Sequence, residues 1–269
     1  MRRSAFRPTA STLLITSSAF ALLTAAPALA QQQPQADAVD DIFVTGTRVQ
    51  NRSRLDSVAP VDVVTAETLQ QRGSTELATQ LAATVPALNF PRPSATDGTD
   101  SIRPATLRGQ GPDQTLVLVN GVRRHATALV NTNGSVGRGS AAVDLNAIPS
   151  TAIERIEVLR DGAAAQYGSD AIAGVLNLRL RKASSGGGQD LKDGEALTVA
   201  AWQGFGLGSD GFLTASVEYR DRERTNRSDL DPRFSPSQVR GAQGDPESED
   251  LAVYLNAGKP LAAGWEAYG

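Results

Sequence analysis

The spacing of apolar and polar positions divides this chain into three stretches. In the last third the period is two. Leu213, Ala215, Val217 and Tyr219 share one side of residues 212–220, and Thr214, Ser216, Glu218 and Arg220 share the other. Leu251, Val253 and Leu255 alternate in the same way with Ala252, Tyr254 and Asn256. Residues 197–205 predict a further strand, and 265–268 begin another. Successive side chains of a strand point to opposite faces, so each segment has one greasy and one wet side. Strands of about nine residues with that pattern fit a transmembrane barrel wall. They equally fit a soluble antiparallel sheet with one solvated face.

The middle stretch mixes periods. Residues 61–65 and 116–119 are short apolar strands, and a helical turn begins at Thr65 or Ala66. Leu77, Leu81 and Val85 recur at spacing four, a helical stripe over 75–84 that Pro86 ends. Ser74 is placed to cap that helix, with Glu76 in its first turn. Asn120-Gly121 is a hairpin turn signal, and Thr151 to Glu154 fits a capping box. Ile156 and Val158 alternate with Glu157 and Leu159, a half-buried strand closed by Asp161-Gly162. Ala163, Ala164 and Ala165 pack closely, Tyr167-Gly168 breaks the run, and 175–180 is a second strand. It carries Leu176, Leu178 and Leu180 on one face, Asn177 and Arg179 on the other. Residues 89–100 and 123–140 are loops rich in Gly, Pro, Ser and Asn. Residues 61–181 thus read as an α+β domain with at least four short strands and two or three short helices. Taken alone, the pattern of 153–181 is also that of an ordinary α/β core.

The first stretch is a processing signal. Arg2, Arg3 and Arg7 precede an apolar run over 10–23, and Ala28-Leu29-Ala30 fits small-x-small cleavage. That is a secretory signal peptide by the general route, Arg2-Arg3 lacking the rest of a twin-arginine motif. Residues 31–40 form a polar linker. Ile42, Phe43, Val44 and Thr45 then have high strand propensity, ended by Gly46. Such a strand either begins the next domain or is offered to another protein's sheet edge.

Composition narrows the field. The chain has 269 residues, 26 Lys and Arg against 29 Asp and Glu. Without the three leader arginines the balance is 23 basic to 29 acidic, which is no footprint for nucleic acid. There is no cysteine, and His125 is the single histidine, too few for a zinc site or a Ser-His-Asp triad. Beyond residue 30 no run is long and apolar enough for a membrane helix. Residues 206–211 match G-x-G-x-x-G, but a strand follows where a dinucleotide site needs a helix. Asp221, Asp229 and Asp231 lack calcium-loop spacing, the Asn226-Arg227-Ser228 sequon means nothing in bacterial-type export, and Glu154 and Glu157 read as structural. No catalytic residue, metal or cofactor is implied.

Residues 153–181, with Leu107 to Gly121 before them (LRGQGPDQTLVLVNG), closely resemble the plug domain of TonB-dependent outer-membrane receptors. Asp41 to Arg48 (DIFVTGTR) resembles the TonB box of that family, Phe43 being bulkier than the β-branched residue usual there. The resemblance implies an α+β plug with a mixed, mainly four-stranded sheet, followed by antiparallel strands of an incomplete outer-membrane β-barrel. It divides the chain into a signal peptide (1–30), a periplasmic linker (31–52), a plug (53–182) and the start of a barrel (183–269). Asp41, Ile42, Phe43, Val44, Thr45, Gly46 and Thr47 would be captured by a TonB-type inner-membrane energy-coupling protein. A small-molecule ligand, such as a ferric siderophore, cobalamin or oligosaccharide, would meet the outer loops. Arg92, Asp97, Arg123, His125, Asn131, Asn133 and Arg138 are the candidates there. Outer-membrane lipid would cover the wall. About four wall strands are read here against about 22 in a plugged barrel, so a fragment unable to transport alone is expected. Short turns lie on the periplasmic side and long loops outside, so 197–205 should run downward. That order implies that an initial ascending strand is missing between Gly188 and Glu195. The alternatives are a soluble periplasmic binding or signalling module on the same α+β domain, and a secreted enzyme.

Overall fold

The computed structural model describes residues 42–43, 52–53, 60–71, 74, 76–93, 98–132, 137–192, 196–226, 228, 233, 244–261 and 266–269. The signal peptide, Asp41 and Val44 to Thr47 of the coupling segment, Asp97, Asn133 and Trp265 lie outside the described residues.

Two dipeptide strands, β1 (Ile42–Phe43) and β2 (Arg52–Ser53), pair antiparallel as a sheet of their own. β3 (Val61–Thr65) is rich in β-branched residues. Thr65 ends it and caps the helix Ala66–Gln70, its Oγ1 accepting from Thr68 N at 3.4 Å. The next helix, Leu77–Thr84, begins later than the pattern predicts. Ser74 Oγ accepts from Glu76 N at 3.2 Å and caps a local turn instead. Glu76 sits at the N-cap with no capping bond, because its carboxylate is taken up by arginines.

β4 (Leu88–Asn89) and β5 (Thr106–Leu107) form a small antiparallel pair. β6 (Thr115–Val119) turns through Asn120 and Gly121, at φ 51° and 84°, into β7 (Val122–Arg123). Two successive positive φ values make the hairpin turn that Asn-Gly favours. β8 (Ile153–Leu159) follows a 3₁₀ turn over Ser150–Ala152. The capping box at Thr151 to Glu154 therefore does not form: Ile153 already pairs with Leu180. The helix Ala164–Tyr167 buries neither Ala164 nor Ala165; of the three alanines only Ala163 is in the core. β9 (Gly174–Leu180) closes the domain.

The sheet runs β3-β8-β9-β6-β7, with β6 and β9 parallel and every other pair antiparallel. Four strands of five to seven residues carry it, and the two-residue β7 is its edge. Both faces are covered. Val64, Val117, Ile156, Val158, Leu176 and Leu178 meet Leu77 and Leu81 of the second helix. Val61, Leu116, Leu118, Leu159 and Val175 meet Ala163 and Ala171 on the other side. Glu157 and Asn177, which the pattern placed on a wet face, are therefore 0% and 2% exposed. Asn177 Nδ2 donates to Glu157 Oε2 at 3.1 Å, and Arg155 Nε to Oε1 at 3.1 Å. A buried carboxylate tolerates desolvation only when so partnered. Gly174, at φ 146°, is required where β9 starts: a Cβ would stand 2.2 Å from the Leu159 carbonyl oxygen.

The second sheet is antiparallel throughout, in the order β10 (Gly187–Lys192), β11 (Ala196–Leu207), β12 (Gly211–Arg222), β13 (Ser248–Pro260), β14 (Glu266–Tyr268). β10 removes the missing-strand expectation. Gly187 pairs with Gln203 and Lys192 with Thr198 in unbroken register, so an initial strand is present. Its sequence, GGQDLK, has neither propensity nor alternation; main-chain pairing to β11 builds it. The short turn after Leu207 and the long connection after Arg222 fall at opposite ends, as expected. The sheet stays open between β10 and β14. Its polar row faces the first domain: Thr198, Thr214, Ser216, Glu218, Arg220 and Asn256 are buried. Its apolar row faces away, with Leu251, Val253 and Leu255 69%, 62% and 63% exposed.

Candidate functional site

The wall's inward row meets the plug through hydrogen bonds, with Tyr254 also packed against the plug's apolar core. Ser150 N and Oγ donate to Glu218 Oε2 at 3.0 and 3.1 Å, and Arg220 holds the other carboxylate oxygen. Ala183 N donates to Thr214 Oγ1 at 2.9 Å. Asn256 Nδ2 donates to Arg181 O at 2.7 Å, and its Oδ1 accepts from Asn120 Nδ2 at 3.3 Å. Asn120 Oδ1 in turn accepts from Leu180 N at 2.9 Å, so the hairpin asparagine ties sheet to wall.

Beneath the loop after Asn89 lies an ionic cluster. Glu76 faces Arg92, Arg103 and Arg222, with Arg222 Nη1 at 2.7 Å and Arg103 Nε at 3.8 Å. Asp245, from the connection between β12 and β13, reaches in to Arg103 Nη2 at 2.8 Å and Arg92 Nη1 at 3.2 Å. The Arg103 side chain is fully buried, and also donates to the carbonyls of Asp100 and Ile102 at 2.7 and 3.0 Å. Burial lowers its pKa, opposed chiefly by Asp245. Asp144 accepts from Arg103 N and Asn146 N, both at 3.0 Å, yet burial still raises its pKa above the ordinary carboxylate value. Opposite charges and backbone donors are what make burial of such groups tolerable.

The sequence-predicted residues separate into engaged and open. Arg92 belongs to the ionic cluster and also donates to Thr79 Oγ1 at 2.9 Å. Arg123 pairs with Asp170 and donates to Tyr167 O at 3.1 Å. Asn131 is buried and bonds Ser140 through both backbone and side chain. His125 and Arg138 are exposed. His125 lines a recess of about 260 Å3 with Asp113, Arg123 and Arg124. The structure brings the two loops together, Leu129 Cδ1 lying 3.5 Å from where a Cβ on Gly98 would stand. Among the described residues, the strand of the coupling segment, Ile42–Phe43, is paired with Arg52–Ser53 alone and is not a member of the plug sheet. Among the described residues no acidic or histidine cluster is placed to hold a metal ion. Glu76, Arg103, Asp245, Glu218 and Arg181 are not candidate site residues in the sequence, where Glu76 reads as a first-turn acid and Glu218 as a member of the polar row.

Residues 53–175 match the family described as TonB-dependent Receptor Plug Domain. The ferric enterobactin receptor of Pseudomonas aeruginosa is 30% identical over 177 residues, 64% of this chain and 23% of that one. Vitamin B12 transporter BtuB of Vibrio cholerae is 28% identical over 193 residues, 70% of this chain and 28% of that one. Among solved structures, the siderophore receptor PirA from Acinetobacter baumannii superposes with a TM-score of 0.53 at 23% identity, over 82% of this chain and 31% of that one. A ferric enterobactin receptor variant from Pseudomonas aeruginosa, in complex with enterobactin, gives 0.56 at 20% identity over 77% and 32%. The chain thus spans about a quarter of the length of the curated relatives it matches. With a mixed sheet seated on the polar face of an open antiparallel wall, and with these matches, residues 53–175 form a domain of the TonB-dependent receptor plug type, and the rest of the described chain is similar to the part of such receptors that follows it.

Proposed function

We propose that this protein works in energised uptake of a scarce small molecule across the bacterial outer membrane, its first 30 residues serving as the export signal. Residues 183–269 contribute the start of the barrel wall, 53–182 the plug, and 31–52 the periplasmic linker with the TonB box. The observation that carries the reading is the wall's inverted pattern: charged and hydroxyl side chains face the plug, and Leu251, Val253 and Leu255 face away. A water-soluble sheet has little reason to hide its charges and display a row of leucine and valine; a barrel wall in lipid does so by design. The same row counts against a soluble periplasmic module.

In this mechanism a TonB-type inner-membrane protein adds its own strand to Asp41 to Thr47 and pulls. The ligand meets the paired loops containing Arg92, Asp97, Arg123, His125, Asn131, Asn133 and Arg138. Relatives named for ferric enterobactin and vitamin B12 support a ferric siderophore or cobalamin as its class; an oligosaccharide remains the third. The work is mechanical, so no group serves as a catalyst.

The test is Ile42→Pro in cells whose own copy of the gene is replaced. Proline removes a main-chain donor from an added strand. Uptake of labelled ferric siderophore or cobalamin should fall to the level of unenergised cells while surface binding persists. Unchanged uptake would overturn the coupling role, and recovery of the protein in the soluble periplasmic fraction would overturn the wall.

A further inference from the structure

Where the chain passes from plug to wall, a recess of about 310 Å3 is lined by Arg155, Arg179, Arg181 and Lys182, with Glu154 at its rim and Trp202 of β11 as one side. Its charges do not balance. Glu154 is 3.4 Å from Arg155 Nη1. Buried Glu157, just behind, is 3.1 Å from Arg155 Nε and 3.9 Å from Arg179 Nε. Four cations thus meet two carboxylates at the recess, with Glu67 acting on Arg181 as a third. The ionic cluster at Glu76 differs, because there two carboxylates lie directly between three guanidinium groups.

Arg181 is set in place before any ligand arrives. Its Nε donates to Thr151 O at 2.8 Å and its guanidinium lies 4.8 Å over the Trp202 ring. Among the described residues its two terminal nitrogens have no acceptor. A guanidinium held by stacking presents a rigid fork for two oxygens of one anion. Lys182 Nζ is 5.8 Å from the Phe212 ring and 5.6 Å from the Tyr268 ring, with no carboxylate in ion-pair reach among the described residues. A mobile ammonium beside a fixed fork is a pairing suited to a tetrahedral anion, whose further oxygens lie out of the fork's plane.

We propose that this recess binds a doubly charged oxyanion, phosphate or a phosphoryl group, at the plug–wall junction. The recess stays net positive even with Glu67 counted, and that favours a dianion over a carboxylate. A phosphoryl group carries about −1.5 to −2 near neutral pH. Bound there, it would bridge Arg179 of β9 and Arg181 just beyond it to the segment that enters the wall. The site makes no use of coupling or uptake, so it stands or falls apart from the function proposed above.

The experiment uses the purified full chain in detergent, with Trp265→Phe so that emission reports Trp202. Inorganic phosphate, glycerol 1-phosphate and acetate are titrated at constant ionic strength. Phosphate should give a saturable emission change and slow tryptic cleavage after Arg181 and Lys182; acetate should do neither. A response to inorganic phosphate alone would assign the site to the free ion, and an equal response to glycerol 1-phosphate to the phosphoryl group of a larger solute. Lys182→Gln, at an exposed position, should weaken binding by roughly fivefold or more, and Arg181→Lys should do so while keeping the charge. No saturable response to phosphate up to millimolar levels would overturn the proposal. So would equal binding of acetate, or unaltered affinity in both variants.

Discussion

The two sheets of this protein solve opposite problems with the same element. The plug sheet buries both faces and has to find partners for the few polar groups caught inside, as Asn177 and Arg155 do for Glu157. The wall sheet keeps its polar groups inward, where the plug satisfies them, and turns its apolar row outward. Strand propensity cannot separate them. What differs is which face carries the charge, and what waits on the other side of it.

Glu76 offers the harshest challenge to that contrast, because it is the plug residue on which plug and wall arginines converge. Glu76→Gln keeps the shape and removes the charge. Arg103 and Arg222, both buried, would retain Asp245 as their nearby carboxylate. Stability should fall by about 3–5 kcal/mol, the scale for breaking a buried pair from one side. Urea unfolding of the purified protein measures it. A loss well under that scale would mean that plug and wall do not share a charged core. Val253→Arg probes the outward row. In a bilayer it should cost about 2–4 kcal/mol near the midplane and lower the fraction recovered in the outer membrane; in water an exposed arginine there would be harmless. Normal recovery would break the contrast from the wall side.

Asp144→Asn is the mildest of the three. Burial raises the folded-state pKa of Asp144, so its charged form disfavours the fold. Any stability it contributes is fully present below the unfolded carboxylate value and is lost as pH rises through the raised one. An asparagine oxygen can still accept from Arg103 N and Asn146 N. The variant should match or slightly exceed the parent at neutral pH, within about 1 kcal/mol, and its thermal midpoint should change less across the acid range. A clear loss at neutral pH would show that the charge itself holds Arg103.

Much of this architecture was legible because the signals are local. Asn120-Gly121 names its own turn, and the period of two in 212–220 put Glu218 and Arg220 on one row before any partner was known. β10 was invisible because GGQDLK becomes a strand only through a neighbour's main chain. Glu157 and Asn177 were misplaced because a sheet covered on both sides keeps the alternation of one covered once. The ionic cluster was beyond reach for a simpler reason: Glu76 meets Arg222 across 146 residues, and nothing near either one points to the other. The loop candidates were chosen by segment, and the segment does not tell an arginine already paired, such as Arg92, from one left open, such as Arg138.

The hydrogen bonds that join Ser150, Ala183 and the Arg181 carbonyl to the wall are of a kind that water can imitate. When such a bond opens, both ends find a solvent molecule at little net expense. Among apolar groups, drawing the two bodies apart would uncover the Tyr254 ring against the plug core and the Trp202 face beneath Arg181. A seam assembled in this way can be tight at rest and still open wet under a pull, with resistance concentrated where arginine and carboxylate are locked together.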